Sequence, residues 1–564
     1  MDIKRLSAEV SVSGQLSPAD LPALRAEGVE VLVCNRPDGE GGATQPDWQD
    51  ISQSAAALGM RVHYLPVVLD TINSADVRRF AALLQQGPPG LHAFCRSGAR
   101  STTLWALARI SLGETPAAVV DSLRAMGVDL AALPLRYASV IAELDGSLDA
   151  RPVQRHCPLL IIGGGAAGLS LASSLLRRQP GLEICIVEPS TEHYYQAGFT
   201  MVGGGVFDAA KTVRREADVM PAGVEWIRAA VTHILPESRH VVLDDGSKLS
   251  YARLAVCPGL KLSFAAVEGL EGTLGQNGVT SNYRHDLAPY TWELVKSLRR
   301  GKALFTQPPM PIKCAGAPQK ALYLAADHWR REGVLRDIDI RFCNAGAALF
   351  GVQDYVPALM RYIEQYGARL QLGYNLVRVD GPARLATFAT TDAAGQVQLV
   401  EEHFDMLHVC PPQCAPDFIR NSAVADRGGW LEVDPHTLRH PRYPEIWGLG
   451  DVCNTANAKT AAAVRKQAPI VAANLLADIR QEEPRYRYDG YGACPLTVER
   501  GRVVLAEFTY GGKLSPTLPR WLLEGRQASR LGWFLKKTLM PFLYWDCMLK
   551  GRELLVRPED QGGK

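Results

Sequence analysis

The sequence contains no run of about 18 uncharged apolar residues, so it predicts no membrane-spanning helix. Its start, MDIKRLSAEVSVSGQLSPAD, lacks the apolar core of a secretory signal, and a cytoplasmic chain is expected. Charge of either sign is not in excess: 61 basic residues meet 59 acidic ones, for a net charge of +2. That balance gives no argument for a nucleic-acid partner. Low-complexity tracts and internal repeats are missing too. Twelve cysteines in 564 residues are too sparse for a disulfide scaffold. Most should be small buried hydrophobes, with a few reactive ones in loops. No metal site is expected.

What is present suggests two to four α/β domains. Strand and helix signals alternate through the first 145 residues: VEVLVC, RVHYLPV and LHAFC read as strands. SADVRRFAALLQQ reads as a helix with Ser74 as its cap. The loop CRSGAR, Cys95 to Arg100, lies between the strand LHAFC and a helical pattern. Backbone N–H groups at a helix start favour an anion and a thiolate, and Arg100 can hold two oxygens of an oxyanion in a fork. The polar stretch DGSLDARPVQR reads as a linker.

A second α/β pattern follows at once. LLIIGGGAAG is an apolar strand leading to Gly163-x-Gly165-x-x-Gly168 and a helix that begins with Ala166 and Ala167. The glycines allow a tight turn and close approach of backbone to a pyrophosphate at the helix N-terminus. The next strand, LEICIVE, ends in Glu188, placed to hold ribose hydroxyls. YARLAVCPG and YPEIWGLGDVCN, with Asp451, resemble the later FAD elements of two-dinucleotide-domain flavoproteins, which implies FAD. Near the C-terminus, LGWFLKKTLMPFLYWDCMLKGRELLVR mixes aromatics with lysines and reads as an amphipathic interfacial element or as a packed helix.

PIKCAGAPQK places Cys314 beside a lysine near a helix start, a setting that favours a thiolate. Together KCAGAPQK, VEPSTEHYYQAGFTMVGGG, GLGDVCNTANAKTAAAV, YDGYGACPL and LMPFLYWDCMLKG resemble the mitochondrial-like sulfide:quinone oxidoreductases, from about Pro158 to about Gly551. The resemblance implies an FAD enzyme that oxidises hydrogen sulfide through two cysteines, joined by a disulfide or a sulfur bridge. It implies two electrons passed to ubiquinone and a persulfide sulfur passed to glutathione, sulfite or cyanide. It makes Cys314 the flavin-facing thiolate. It expects the second cysteine directly after the Asp of the GD element; here Val452 takes that place and Cys453 follows. Cys453 is therefore the expected partner, with Cys410 and Cys414 as alternatives. Cys185, Cys257 and Cys343, in apolar strands, are expected to be buried and inert. Ala166, Ala167, Glu188, Gln196, Val231 and Asp451 are expected to contact FAD. Lys320 and Lys459 are candidates for charge near the flavin or thiolate, or ordinary surface lysines. The C-terminal segment is implied to be a membrane and quinone-access element, peripheral to the inner membrane.

Against that neighbour, the Cys95 loop, C-x4-R, is one residue shorter than that of tyrosine phosphatases and matches the six-residue loop of rhodanese-type sulfurtransferases. The first domain resembles both kinds of module. The resemblance favours Cys95 accepting or transferring persulfide sulfur, assisted by Arg100. A phosphatase with Asp70 as general acid, or an oxyanion-binding module without turnover, is the alternative; for the second part it is a flavocytochrome-like sulfide dehydrogenase.

The expected architecture is thus α/β. A small phosphatase/rhodanese-like domain (1–145) and a linker (146–156) lead to a two-dinucleotide-domain, Rossmann-like FAD flavoprotein (157–525). An amphipathic C-terminal membrane-interface segment (526–564) completes it.

Overall fold

The computed structural model describes residues 3–42, 45–87, 90–146, 148, 151–392, 395–556 and 558. Residues 147, 149 and 150 of the expected linker, and 557 and 559–564 of the expected C-terminal segment, lie outside the described residues. The chain divides into two compact units. One comprises 1–156, 230–251 and 417–432; the other comprises 157–229, 252–416 and 433–564.

In the first unit the apolar runs form a five-stranded sheet. Its order is Ile3–Arg5, Val10–Ser13, Leu91–Phe94, Val31–Cys34 and Arg61–Tyr64. Only the first pair is antiparallel; the others run parallel. The two central strands are buried along their whole length, as a sheet covered on both faces requires. Phe80, Leu104 and Leu107 pack in one core cluster, and Leu24, Ile51 and Phe94 in another. The helix predicted at SADVRRF spans Ser74–Gln85, but its cap is Asn73, whose side chain accepts from Asp76 N–H at 3.1 Å. Ser74 is the first helical residue, and its hydroxyl donates to Glu143 instead.

The second unit holds two sheets of dinucleotide-fold type. In one, Val224–Ile227, Ile184–Val187, residues 157–162, residues 252–256 and Ile446–Gly448 lie side by side. The other orders Val279–Thr280, Met406–His408, Gly301–Gln307, Ile338–Asn344 and Arg369–Leu372, all parallel. A hairpin, Gly492–Glu499 with Arg502–Phe508, packs Leu496, Val498 and Val504 into a core shared with the helix Ala317–Arg331. The C-terminal segment Arg530–Lys550 is helical throughout, with π turns at Leu535–Leu539 and Leu543–Cys547. No described helix is long and apolar enough to cross a membrane.

Candidate active site

A cavity of about 570 Å³ runs through the second unit, within the range of small-ligand sites. The glycine turn lines it. Gly163 has φ +98° and lies so close to Cys257 O that a Cβ would sit 2.6 Å from it; a Cβ on Gly168 would sit 1.9 Å from Gly163 O. A Cβ on Gly165 would meet nothing within 4 Å, because the turn there faces open space. Ala166 and Ala167, at the start of the helix Ala166–Arg178, line the cavity, as do Thr460, Ala461 and Ala462 at the start of Ala461–Ile479. Two helix N-termini thus turn partial positive charge toward the cavity. Glu188 follows its strand; its oxygens accept from Gly164 N–H and Ser190 N–H, each at 2.8 Å. Burial raises its carboxyl above the usual range, against those two hydrogen bonds. Asp451 also lines the cavity; burial raises it, and Lys459 and Lys313 oppose the rise.

Cys314 lines the same cavity. Its φ of +52° is left-handed, a strained state for a residue with a side chain. Three ties hold it there. Its N–H donates to Lys459 O at 2.9 Å, Ala317 N–H donates to its carbonyl at 2.7 Å, and Lys313 and Lys459 form a β-bridge. The Cys314 sulfur lies 3.4 Å from the sulfur of Cys494 and 3.0 Å from Lys320 Nζ. Cys314 is held well below the usual thiol range. The hydrogen bond from Cys494 is the main cause, and the Lys320 ammonium helps it outweigh burial. Cys494 is correspondingly pushed up, by that same hydrogen bond and then by burial. Burial alone would lower Lys320, but the thiolate charge raises it. Lys536, from the C-terminal segment, lines the same cavity; burial brings it down to about 7.

Two family models match the chain. Residues 158–296 match the pyridine nucleotide-disulphide oxidoreductases, and residues 2–112 match the phosphatase-like domain of the beta-lactamase hydrolase-like proteins. The mitochondrial sulfide:quinone oxidoreductase of Dictyostelium discoideum is 39% identical over 414 residues, covering 73% of this chain and 90% of that one. The chain belongs to the sulfide:quinone oxidoreductase family. The mouse mitochondrial sulfide:quinone oxidoreductase is 36% identical over 71% of this chain and 87% of its own. The beta-lactamase hydrolase-like protein of Agrobacterium fabrum is 31% identical over 133 residues, 23% of this chain and 31% of its own. The fold is shared with the crystal structure of the Aquifex aeolicus sulfide:quinone oxidoreductase, at TM-score 0.58 and 18% identity over 71% of this chain and 92% of that one.

This family member is an FAD-dependent oxidoreductase. The residues present fit the cofactor: an open glycine turn, two helix N-termini and a carboxylate beyond the strand. The structure sorts the expected residues. Gly163, Gly165, Ala166, Ala167, Glu188, Gln196, Asp451, Cys314 and Lys320 line the one cavity. Gln196 accepts from Lys313 Nζ. Val231 is not among the lining residues; it is buried in the strand Val231–Leu235, in register with Leu243.

The pairing of Cys314 with Cys453 is corrected. The sulfur beside Cys314 is that of Cys494, from the motif YDGYGACPL. Cys453 is fully buried, its thiol pushed up to about 12 by burial, and its carbonyl accepts from Lys459 Nζ at 2.7 Å. Cys410 is buried, and burial raises it to about 12; the Cys414 sulfur lies 3.4 Å from Ser263 Oγ. Cys185, Cys257 and Cys343 are buried. Lys459 is no surface lysine: its Nζ donates to Asp451 O and Cys453 O.

In the first unit Cys95 is buried and accepts from Gly98 N–H at 3.1 Å. Gly98 has φ +87° and caps the helix Ala99–Ser111, so the loop folds back over the sulfur. Arg100 donates to Glu40, which also accepts from Arg36 Nε at 2.8 Å. Arg100 Nη1 is buried with no hydrogen-bond partner among the described residues. Glu40 is held below the usual carboxylate range by the two guanidinium groups, although burial opposes them. His92 is structural: it bonds Ser11 and Ser13, and burial lowers it to about 4. Asp70 is exposed and paired with Arg136.

Proposed function

We propose that this protein oxidises hydrogen sulfide, reduces ubiquinone and hands the sulfur atom to a small acceptor. The observation that carries the reading is the Cys314–Cys494 pair, 3.4 Å apart with Lys320 beside Cys314, at the cavity that the glycine turn lines. Two S–S bonds of about 2.05 Å, bent at the middle atom, span such a gap, so the site accepts one bridging sulfur. Sulfide attacks the oxidised pair and an S–S bond breaks. The new sulfur stays on Cys494 as a persulfide, and Cys314 leaves as the thiolate that Lys320 stabilises. An acceptor thiol RSH takes that sulfur as RSSH. FAD, when bound, supplies the two-electron relay from the cysteine pair to the quinone. The sum balances: hydrogen sulfide, RSH and quinone give RSSH and quinol. Gly163 and Gly165 with Ala166 and Ala167 would admit the cofactor's pyrophosphate, Gly168 packing against Gly163 O behind them; Glu188 would hold a ribose, and Asp451, Gln196 and Lys320 the flavin side.

Quinone reduction is favoured over a cytochrome acceptor by the C-terminal segment. Leu535, Leu539, Met540 and Leu543 wall the cavity from inside. Phe534 and Phe542, on the same segment, are 55% and 47% exposed, and Trp521 nearby in sequence is 85% exposed. Such an element suits peripheral attachment to a membrane. In the N-terminal domain (1–145), we assign Cys95 as an acceptor or donor of persulfide sulfur, RSSH + Cys95–SH giving RSH + Cys95–SSH. The Glu40 carboxylate on Arg100 Nη2 opposes any dianion at the loop, phosphate and thiosulfate alike, more than it opposes an uncharged persulfide.

The test is sulfide-driven reduction of decylubiquinone by the full chain. Cys494→Ser should abolish it and Cys453→Ser should leave it intact. The reverse pattern overturns the pairing. Brisk cytochrome reduction without quinone reduction overturns the acceptor.

A further inference from the structure

Glu216 lines the cavity beside the glycine turn. It is 1% exposed, and its Oε1 has no hydrogen-bond partner among the described residues. A Cβ on Gly164 would sit 2.6 Å from that oxygen and 2.8 Å from Glu188 Cγ, so both carboxylates crowd over the turn. A buried carboxylate oxygen without a donor is costly, and here it faces a cavity that takes a hydroxyl-rich ligand. The other oxygen, Oε2, lies 3.2 Å from His193 Nδ1. His193 Nε2 lies 2.7 Å from Tyr544 OH. The two ring nitrogens of His193 thus bridge the Glu216 carboxylate and the Tyr544 hydroxyl, and Tyr544 also donates to Tyr194 O at 3.4 Å. All three residues line the cavity. Tyr544 belongs to the C-terminal segment, which is otherwise tied to the helix Ala166–Arg178. Ser173 donates to Leu549 O at 2.6 Å, and Glu553 accepts from Ser174 and Arg178.

We infer that Glu216 is a further dinucleotide-binding residue, its free oxygen accepting from a ribose hydroxyl of FAD, and that the chain Glu216–His193–Tyr544 couples cofactor retention to docking of the C-terminal segment. With the cofactor bound, Glu216 is satisfied at both oxygens and holds His193 in the orientation Tyr544 needs. Without it, Oε1 is left without a donor and the segment loses part of its seat. By the reciprocity of linked equilibria, loosening the segment must loosen the cofactor by the same factor.

The experiment uses the full-length holoenzyme. Flavin fluorescence follows FAD release, and limited proteolysis follows the segment 530–552 before and after FAD is stripped. Tyr544→Phe keeps the ring and removes only the hydroxyl; Glu216→Gln keeps an acceptor for His193 but removes the charge. Each should release FAD several-fold faster, and the double variant should be no faster than the worse single one, because both cut the same chain. In the wild type the segment should be cut several-fold faster once FAD is removed, and Tyr544→Phe should narrow that difference. Unchanged FAD release in Tyr544→Phe overturns the coupling, whether or not Glu216→Gln folds. Proteolysis of the wild type that ignores FAD overturns it as well.

Discussion

Gly316 stands where any Cβ would lie 2.6 Å from the sulfur of Cys494 and 2.5 Å from Leu496 Cδ2. The approach of the two sulfurs therefore requires glycine two residues after Cys314. Gly316→Ala should force them apart at an overpacking cost of about 1–3 kcal/mol. Mass spectrometry of the oxidised protein should find the Cys314–Cys494 bridge strongly depleted, with sulfide oxidation slowed at least tenfold. A full yield of bridged protein would refute the close-approach argument.

The Lys320 ammonium, 3.0 Å from Cys314, favours the thiolate. The sign is definite: Cys314 is held below the ordinary thiol value, so it stays ionised as pH falls toward that lowered value. Lys320→Met removes the charge and should move its titration upward. The pH dependence of iodoacetamide alkylation of Cys314 in the reduced protein measures this. An inflection that does not rise in the variant would count against Lys320.

Glu40 accepts from Arg100 Nη2, and Arg100 Nη1 has no hydrogen-bond partner among the described residues. Glu40→Gln removes that negative charge, and thiosulfate should then bind the Cys95 loop more tightly. Steady-state thiosulfate:cyanide assays of the full chain should show KM falling several-fold with kcat little altered. Arg100→Ala should raise KM. Aryl phosphate hydrolysis in place of sulfur transfer would return the domain to the phosphatase reading.

Phe534 and Phe542 place aromatic rings in solvent. If they insert into a bilayer, each ring contributes about 1.5–3 kcal/mol. Phe534→Ser should reduce sedimentation with vesicles of phosphatidylcholine and phosphatidylglycerol by roughly tenfold or more, given that energy. Equal sedimentation would locate the membrane surface elsewhere.

What the sequence made readable was local. The glycine turn and Glu188 lie within one strand–turn–helix unit, where spacing alone carries the chemistry. Cys314 could be read from its neighbouring lysine and helix start. Cys494 could not: it meets Cys314 across 180 residues, and only the packing of its hairpin against the helix Ala317–Arg331 brings the sulfurs together. Its one signal was membership of YDGYGACPL. Cys453 misled for the complementary reason, because adjacency to the GD element in sequence does not say which way a thiol turns. Val231 likewise sat in a plausible stretch, yet its strand carries it into a hairpin. Glu40 and Arg100, 60 residues apart, were legible singly and not as a pair.

Lys459 has a consequence for how such a protein can change. Its carbonyl anchors Cys314, and its ammonium spans the carbonyls of Asp451 and Cys453. One residue therefore sets the registration of two elements, the strained turn at Cys314 and the loop at Asp451. Insertions or deletions between Asp451 and Lys459 would displace both at once. Variation in this stretch should be confined to replacements that keep its length.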